Sequence, residues 1–210
     1  MQSVNELSHP LVVHHLSILR DVATPPELFR LQIQRLSMLL AVEASRDIPL
    51  KERQVQTPLA VMTGHELGVR VAVVPILRAG LGMVEPLLQL IPDAEIWHLG
   101  MYRDEHTALP VEYYCKLPAG NPSQVGLVLD PMLATGGSIR AAVTALKRWG
   151  VADIRVLSII ATQYGIDSLL EEHPEVRIWV AKIDQILNAN KFIVPGLGDA
   201  GDRIFNTRSN

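Results

Sequence analysis

Val125-Gly126-Leu127-Val128-Leu129-Asp130-Pro131-Met132-Leu133-Ala134-Thr135-Gly136-Gly137-Ser138 reads as a strand, an acid at its end, and a glycine-rich turn opening a helix. Five apolar or glycine residues suit a strand buried on both faces of a sheet. Residues 141–149 continue as a helix with Val143, Leu146 and Trp149 on one side. The polar turn therefore sits at a strand's carboxyl end, where open parallel sheets bind ligands and the unpaired N–H groups of a helix start attract a phosphate. Gly136 and Gly137 let the backbone approach that phosphate without a Cβ in the way, and Thr135 and Ser138 add hydroxyl donors. Asp130, acceptor-only when ionised, suits sugar hydroxyls or the water shell of a metal ion. The plain alternative is an ordinary strand-turn-helix with a serine N-cap. The acid and the apolar strand ahead of the turn favour a phosphosugar site. Gly137 stands where a P-loop requires lysine, which argues against nucleoside triphosphate hydrolysis.

Working outward, residues 71–77 form an apolar β-branched run, and residues 80–91 follow with helical spacing at Met83, Leu87, Leu88 and Ile91. Residues 26–46 carry Leu28, Leu31, Met38, Leu39 and Val42 behind Thr24-Pro25-Pro26-Glu27, the signature of a helix start, and predict one long amphipathic helix. Short strands are expected at 95–101 and 111–117; with no helix between them they should pair as an antiparallel arm, about residues 99–118. Strands at 154–161 and 176–181 and a helix at 166–172 complete a β-α alternation. That pattern predicts an α/β fold, a parallel sheet with helices on both faces. No linker or repeat divides the chain, so residues 1–210 are expected to form a single domain.

Bulk properties agree. Apolar residues make up 48% of the 210 and aromatics only 5%, which suits an aliphatic core under a parallel sheet. The net charge of −3 gives no general attraction to nucleic acid. No run approaches a membrane span and no basic, apolar leader opens the sequence, so neither a membrane nor a nucleic acid is an expected partner and the expected location is cytoplasmic. Cys115 is the lone cysteine and reads as a small hydrophobe, while the seven histidines show no zinc-ligand spacing.

Two further stretches carry chemistry. In Pro75-Ile76-Leu77-Arg78-Ala79-Gly80 an arginine follows a buried strand, and Ala79 and Gly80 leave room for a bidentate cation to meet a diphosphate; a structural arginine at the strand end is the alternative. Gly196-Leu197-Gly198-Asp199-Ala200-Gly201 satisfies G-x-G-x-x-G. Only nine residues follow it, too few for a dinucleotide-binding βαβ unit. Glycines there instead expose backbone donors and acceptors to a planar ligand.

Asp130 to Ser138 also resembles the phosphoribosyl-pyrophosphate motif of the uracil phosphoribosyltransferase family. Residues 75–83 and 193–203 resemble the same family, as do His9-Pro10-Leu11, Arg20-Asp21, Met101-Tyr102-Arg103 and residues 110–114. The resemblance covers essentially the whole chain. It implies the type I phosphoribosyltransferase fold: a five-stranded parallel core, a hood built from the terminal segments, and the antiparallel β-arm as a dimer contact. It implies transfer of phosphoribosyl from 5-phosphoribosyl 1-pyrophosphate to uracil, giving UMP and pyrophosphate in pyrimidine salvage. The donor would be held by Arg78, Arg103, Asp130, Pro131, Met132, Leu133, Ala134, Thr135, Gly136, Gly137, Ser138 and Asp199. Uracil would be held by Ile193, Gly198, Asp199 and Ala200. Arg78 and Asp130 would act by charge and positioning, with no covalent nucleophile. Mg²⁺ is the implied cofactor, with no direct protein ligand assigned and Asp130 and Asp199 reaching it through water. A GTP activator and a homodimer or higher homo-oligomer are implied as partners. A regulatory or RNA-binding protein on the same fold is the rival reading.

The chain departs from the family pattern in three places. Thr162-Gln163-Tyr164 replaces a proline-glutamate stretch, Asn190-Lys191-Phe192 stands for His-Gly-Tyr, and Asn206 stands for a glycine. Lys191 must therefore avoid positive φ or accept strain, whereas asparagine tolerates left-handed geometry. All three changes are expected to touch the hood rather than the phosphate cradle.

Overall fold

A computed structural model describes residues 3–103, 110–115, 117–118 and 120–207, with the side chains of 101–103 and 110–115 excluded. The expectations for the side chains of Arg103 and Cys115 fall outside the described residues. The first part of the chain comprises β1 (Val4–Glu6), α1 (Pro10–Arg20), α2 (Pro26–Ala44), β2 (Leu50–Gln56), β3 (Val61–Leu67) and β4 (Val71–Leu77). A 3₁₀ turn, Ala79–Met83, leads into α3 (Val84–Leu90), β5 (Glu95–Ile96), β6 (Leu99–Arg103), β7 (Pro110–Cys115), β8 (Val125–Leu129) and β9 (Met132–Leu133). Then come α4 (Gly137–Trp149), β10 (Asp153–Thr162), α5 (Gln163–Glu172), β11 (Arg177–Asp184), β12 (Ile186–Leu187), β13 (Ile193–Val194) and α6 (Ala200–Phe205).

The main sheet has the order β1-β11-β10-β8-β4-β6-β7, with β5 beside β4 and β9 beside β10. Its pairings are parallel except for β6 with β7, the expected antiparallel arm. The predicted five parallel strands are present, and β1 adds a sixth at the edge by pairing Val4 to Ile178. Alternate residues of the central strands feed two cores. Val73, Leu127 and Leu157 face α1, α2 and α3, whereas Val74, Val128 and Val156 face α4 and α5. Both faces are thus covered, which is why β4 and β8 read as continuous apolar runs.

Helix α2 begins where Pro25-Pro26 predicted and is amphipathic, but its buried face is not centred on the apolar residues named from the sequence. Phe29, Ile33, Leu36 and Leu40 are fully buried, each contributing about 1.5–3 kcal/mol of burial, while Leu31 and Val42 are exposed. Apolar residues ring much of this helix, so spacing alone did not single out the packed face. The helix expected over 80–91 opens as the 3₁₀ turn, and the strand expected over 95–101 divides into β5 and β6. Beyond β11, β12 and β13 form a separate antiparallel pair, and β2 with β3 forms another.

Candidate active site

Strands β4 and β8 lie side by side in register, Val71 against Val125 through Pro75 against Leu129, so their carboxyl ends stop together. Arg78 leaves one end and Asp130 the other. Gly80 packs its backbone against Leu129 and Pro75, leaving no room for a Cβ. The loop after β8 then folds tightly: Met132 N donates to Asp130 Oδ1 at 3.2 Å, and Met132 and Leu133 pair with Ile160 and Ala161 of β10.

The cradle takes shape at Gly136, which precedes α4 with φ of 81°, a left-handed value. Gly136, not Ser138, is the N-cap, and no side chain caps the helix, so its first N–H groups are not claimed by a capping residue. A Cβ on Gly136 would stand 2.9 Å from Gly165 O, and one on Gly165 would stand 2.5 Å from Ala134 O. Thr162 Oγ1 donates to Ala134 O at 2.6 Å and accepts from Gly165 N at 3.0 Å. The start of α5 is therefore the floor under the cradle. The departure at residues 162–164 therefore touches the cradle, not the hood as expected, but keeps its floor: Thr162 supplies the cap, and Tyr164 is 63% exposed. Asp130 and residues 132–139 line a hollow of about 40 Å³ over this loop.

Beside it opens a cavity of about 460 Å³, with Arg78 and Ala79 on one wall and Asp130, Met132 and Ala134 on another. Residues 190–192 and 199–201 complete it. Larger hollows of about 1000 and 790 Å³ beside residues 4–9 include none of Arg78, Asp130 or the cradle. The 460 Å³ cavity is the one that joins two strand ends, the loop after β8 and the glycine-rich tail.

The Asp130 carboxyl opens onto this cavity yet is crowded by protein. That desolvation, partly offset by the Met132 N–H, pushes its pKa from the ordinary 3.8 up to about 7. Arg78 has a 58% exposed side chain and reaches Asp202 Oδ1 from Nη2 at 3.3 Å. Asp199 caps α6, accepting from Asp202 N at 2.9 Å.

The tail loop is clamped from below. The buried Asp184 carboxylate takes Arg20 Nη2 at 2.7 Å on one oxygen and accepts from Gly196 N at 3.1 Å on the other. Arg203 donates from Nη1 to Leu197 O at 2.8 Å and Leu19 O at 3.0 Å, and its guanidinium lies 4.2 Å over the Phe29 ring. Gly196 and Gly198 hold φ of 62° and 79°. Asp199 and Ala200 line the cavity, while Ile193 is buried in the core, and neither Ile193 nor Gly198 is in the cavity wall. Pro131 also stands apart from the cavity; its carbonyl accepts from Ile159 and Ile160 N at 3.1 and 3.0 Å. Asp184, Arg20 and Arg203 had no assigned role in sequence, because a residue that acts by holding a loop leaves no local pattern.

Among the described residues no cluster of three or more His, Cys, Asp or Glu side chains forms a metal cage. Among the described residues, Asp130 and Asp199 are the carboxylates on the cavity wall. That donor set fits a Mg²⁺ ion held chiefly by substrate oxygens and water.

The glycine-rich tail follows a two-residue antiparallel strand and runs into a short helix, so the dinucleotide-binding geometry is absent there. The whole chain can be compared with known proteins. Residues 6–207 match the family model described as uracil phosphoribosyltransferase. A uracil phosphoribosyltransferase of Roseiflexus sp. (strain RS-1) is 55% identical over 207 residues, 99% of this chain and 100% of the relative. The solved structure of the AQ2163 protein from Aquifex aeolicus superposes with a TM-score of 0.93 at 36% identity, covering 99% of this chain and 100% of that one. A hypoxanthine phosphoribosyltransferase from Staphylococcus aureus shares the fold alone, with a TM-score of 0.50 at 14% identity over 85% of this chain and 83% of that one. The fold, the paired strand ends and these matches agree that the chain belongs to the uracil phosphoribosyltransferase family.

Proposed function

We propose that the protein transfers the phosphoribosyl group of 5-phosphoribosyl 1-pyrophosphate to N1 of uracil, releasing UMP and pyrophosphate, as a single catalytic domain in pyrimidine salvage. The observation that carries this reading is the 460 Å³ cavity, which joins Arg78, Asp130, the phosphate loop and the tail loop.

The 5′-phosphate of the donor sits in the cradle, against the backbone N–H groups of residues 135–138 and the Thr135 and Ser138 hydroxyls. Asp130 accepts from the ribose hydroxyls at the cavity floor. Uracil, with two carbonyls and an N3–H, meets backbone groups of the 193–200 loop, which Asp184 and Arg203 hold rigid. Arg78 and Arg103 receive the diphosphate as negative charge builds on it and positive charge on ribose C1, so catalysis is electrostatic and positional. Asp130 and Asp199 would hold a Mg²⁺ ion through its water shell, and the ion would supply positive charge against the leaving diphosphate. A homodimer and activation by GTP follow from the family resemblance, as does a cytoplasmic setting. A role in RNA binding finds no support in the net charge of −3.

Incubation with Mg²⁺, uracil and 5-phosphoribosyl 1-pyrophosphate should yield UMP and pyrophosphate in equal amounts. Absence of UMP above an enzyme-free control contradicts the reading.

A further inference from the structure

Lys191 sits at φ of 63°, in the left-handed region where glycine is the default residue. The turn that holds it is well tied: Lys191 N donates to Asn188 O, Asn188 N to Phe192 O, and Phe192 N to Asn188 Oδ1, each at 2.9 Å. These bonds fix the Lys191 backbone at one place between β12 and β13. That place is the wall of the 460 Å³ cavity, which Lys191 shares with Arg78, Asp130 and Asp199. Its side chain is exposed and forms no ion pair among the described residues. The other lining cation, Arg78, already shares its charge with Asp202.

We propose that Lys191 is a substrate-binding cation that meets the diphosphate of the donor and of the released product. This inference rests on the function proposed above. Charge and placement select the diphosphate over the other ligand groups. Uracil is neutral near pH 7 and offers a lysine little. The sugar phosphate belongs to the small hollow over residues 132–139, whose lining does not include Lys191. The diphosphate is the remaining polyanion, and in the larger cavity it would face two carboxylates and an arginine that is already paired. Lys191, unpaired among the described residues, adds a further cation beside Arg78 and Arg103 and redresses that balance.

Steady-state kinetics of the full chain with Lys191→Gln, Lys191→Gly and Lys191→Arg test the proposal, with inorganic pyrophosphate as inhibitor. The Gln and Gly variants should raise the KM for the phosphoribosyl donor and the inhibition constant of pyrophosphate by about three- to tenfold. The KM for uracil should stay within about twofold, and Lys191→Arg should restore donor binding. The difference should shrink as salt is raised. Because glycine relieves the backbone strain, Lys191→Gly should melt no lower than wild type, which separates lost charge from lost fold. Unchanged pyrophosphate inhibition in both neutral variants, or a shift in the uracil KM alone, overturns the proposal. If wild type forms no UMP, the proposed function falls instead, and calorimetric titration with inorganic pyrophosphate still decides the lysine. Weaker binding by Lys191→Gln then supports the role, and equal binding overturns it.

Discussion

The Arg78 guanidinium reaches the Asp202 carboxylate, Nη2 to Oδ1 at 3.3 Å, joining a strand end to a helix 124 residues away. Gly201 lies beside the pair: a Cβ there would stand 3.7 Å from Arg78 Nη2, an ordinary contact, and 3.3 Å from Asp199 Oδ1, a tight one. The pair aims a largely exposed arginine across the cavity mouth. Arg78→Ala should therefore lower turnover by about 10²–10³-fold, the scale of a lost transition-state charge contact, with melting temperature nearly unchanged. Asp202→Asn, which frees the arginine without removing it, should cost only a few-fold. Initial rates at saturating donor, alongside thermal melts, distinguish these outcomes.

Asp130 gives a prediction with a sign. In the unfolded chain its carboxyl ionises near the ordinary 3.8, and in the fold near 7, so between those values the unfolded state holds fewer protons. Stability therefore falls as pH rises through that window. Asp130→Asn removes the effect, so the variant should gain on wild type between pH 4 and pH 8, by on the order of 1–3 kcal/mol. Urea unfolding of both proteins at pH 5 and pH 8 measures it; identical pH dependence means the carboxyl ionises normally. Activity should be lost in the same variant, because an amide brings donors where ribose hydroxyls require a charged acceptor.

Gly165 lies outside the phosphate loop yet shapes it. Its missing Cβ would fall 2.5 Å from Ala134 O and 2.9 Å from Leu133 O, both backbone atoms, so Gly165→Ala must displace the cradle. The expected result is a destabilisation of about 1–3 kcal/mol and a rise of tenfold or more in the KM for the phosphoribosyl donor. Uracil KM, measured at saturating donor, should change far less.

The tail loop depends on the buried Asp184. Asp184→Ala strands Arg20 and frees Gly196 N, and should cost about 3–5 kcal/mol. Arg20→Ala leaves Asp184 its Gly196 contact but no cation, and should be similarly destabilising. Equal melting temperatures for wild type and both variants would show that the clamp is idle.

What sequence made legible follows from burial. Strands β4 and β8 were read to the residue because both faces are covered, so every position from Val71 to Ile76 and from Val125 to Leu129 is apolar or glycine, apart from the sheet proline Pro75. The hairpin of β2 and β3 went unread because both of its faces meet solvent: Leu50, Val61 and Met62 are exposed, so no alternation of buried and exposed positions marks the strands. Helix α6 was hidden by Gly198 and Gly201, poor helix formers that read as exposed backbone, although Asp199 caps a helix there. Of the departures from the family pattern, Asn206 takes the left-handed geometry expected of it, with φ of 55°, and Lys191 accepts positive φ rather than avoiding it. The glycine-rich helix start that we propose as the phosphate cradle was legible because its glycines, acid and hydroxyls are contiguous. The tail clamp was not, because Arg20, Asp184 and Arg203 meet only after folding.

The central claim is that the cavity between the β4 and β8 ends takes uracil together with a phosphoribosyl donor. It is tested most directly by kcat/KM for uracil, cytosine, hypoxanthine and orotate, each supplied with Mg²⁺ and 5-phosphoribosyl 1-pyrophosphate. Uracil should give UMP with kcat/KM at least 100-fold above each of the others, as expected where a backbone strip must pair every polar edge of one base (order of magnitude, about 10²–10⁴). Equal or faster transfer to any other base, or no nucleotide from uracil, would contradict the account.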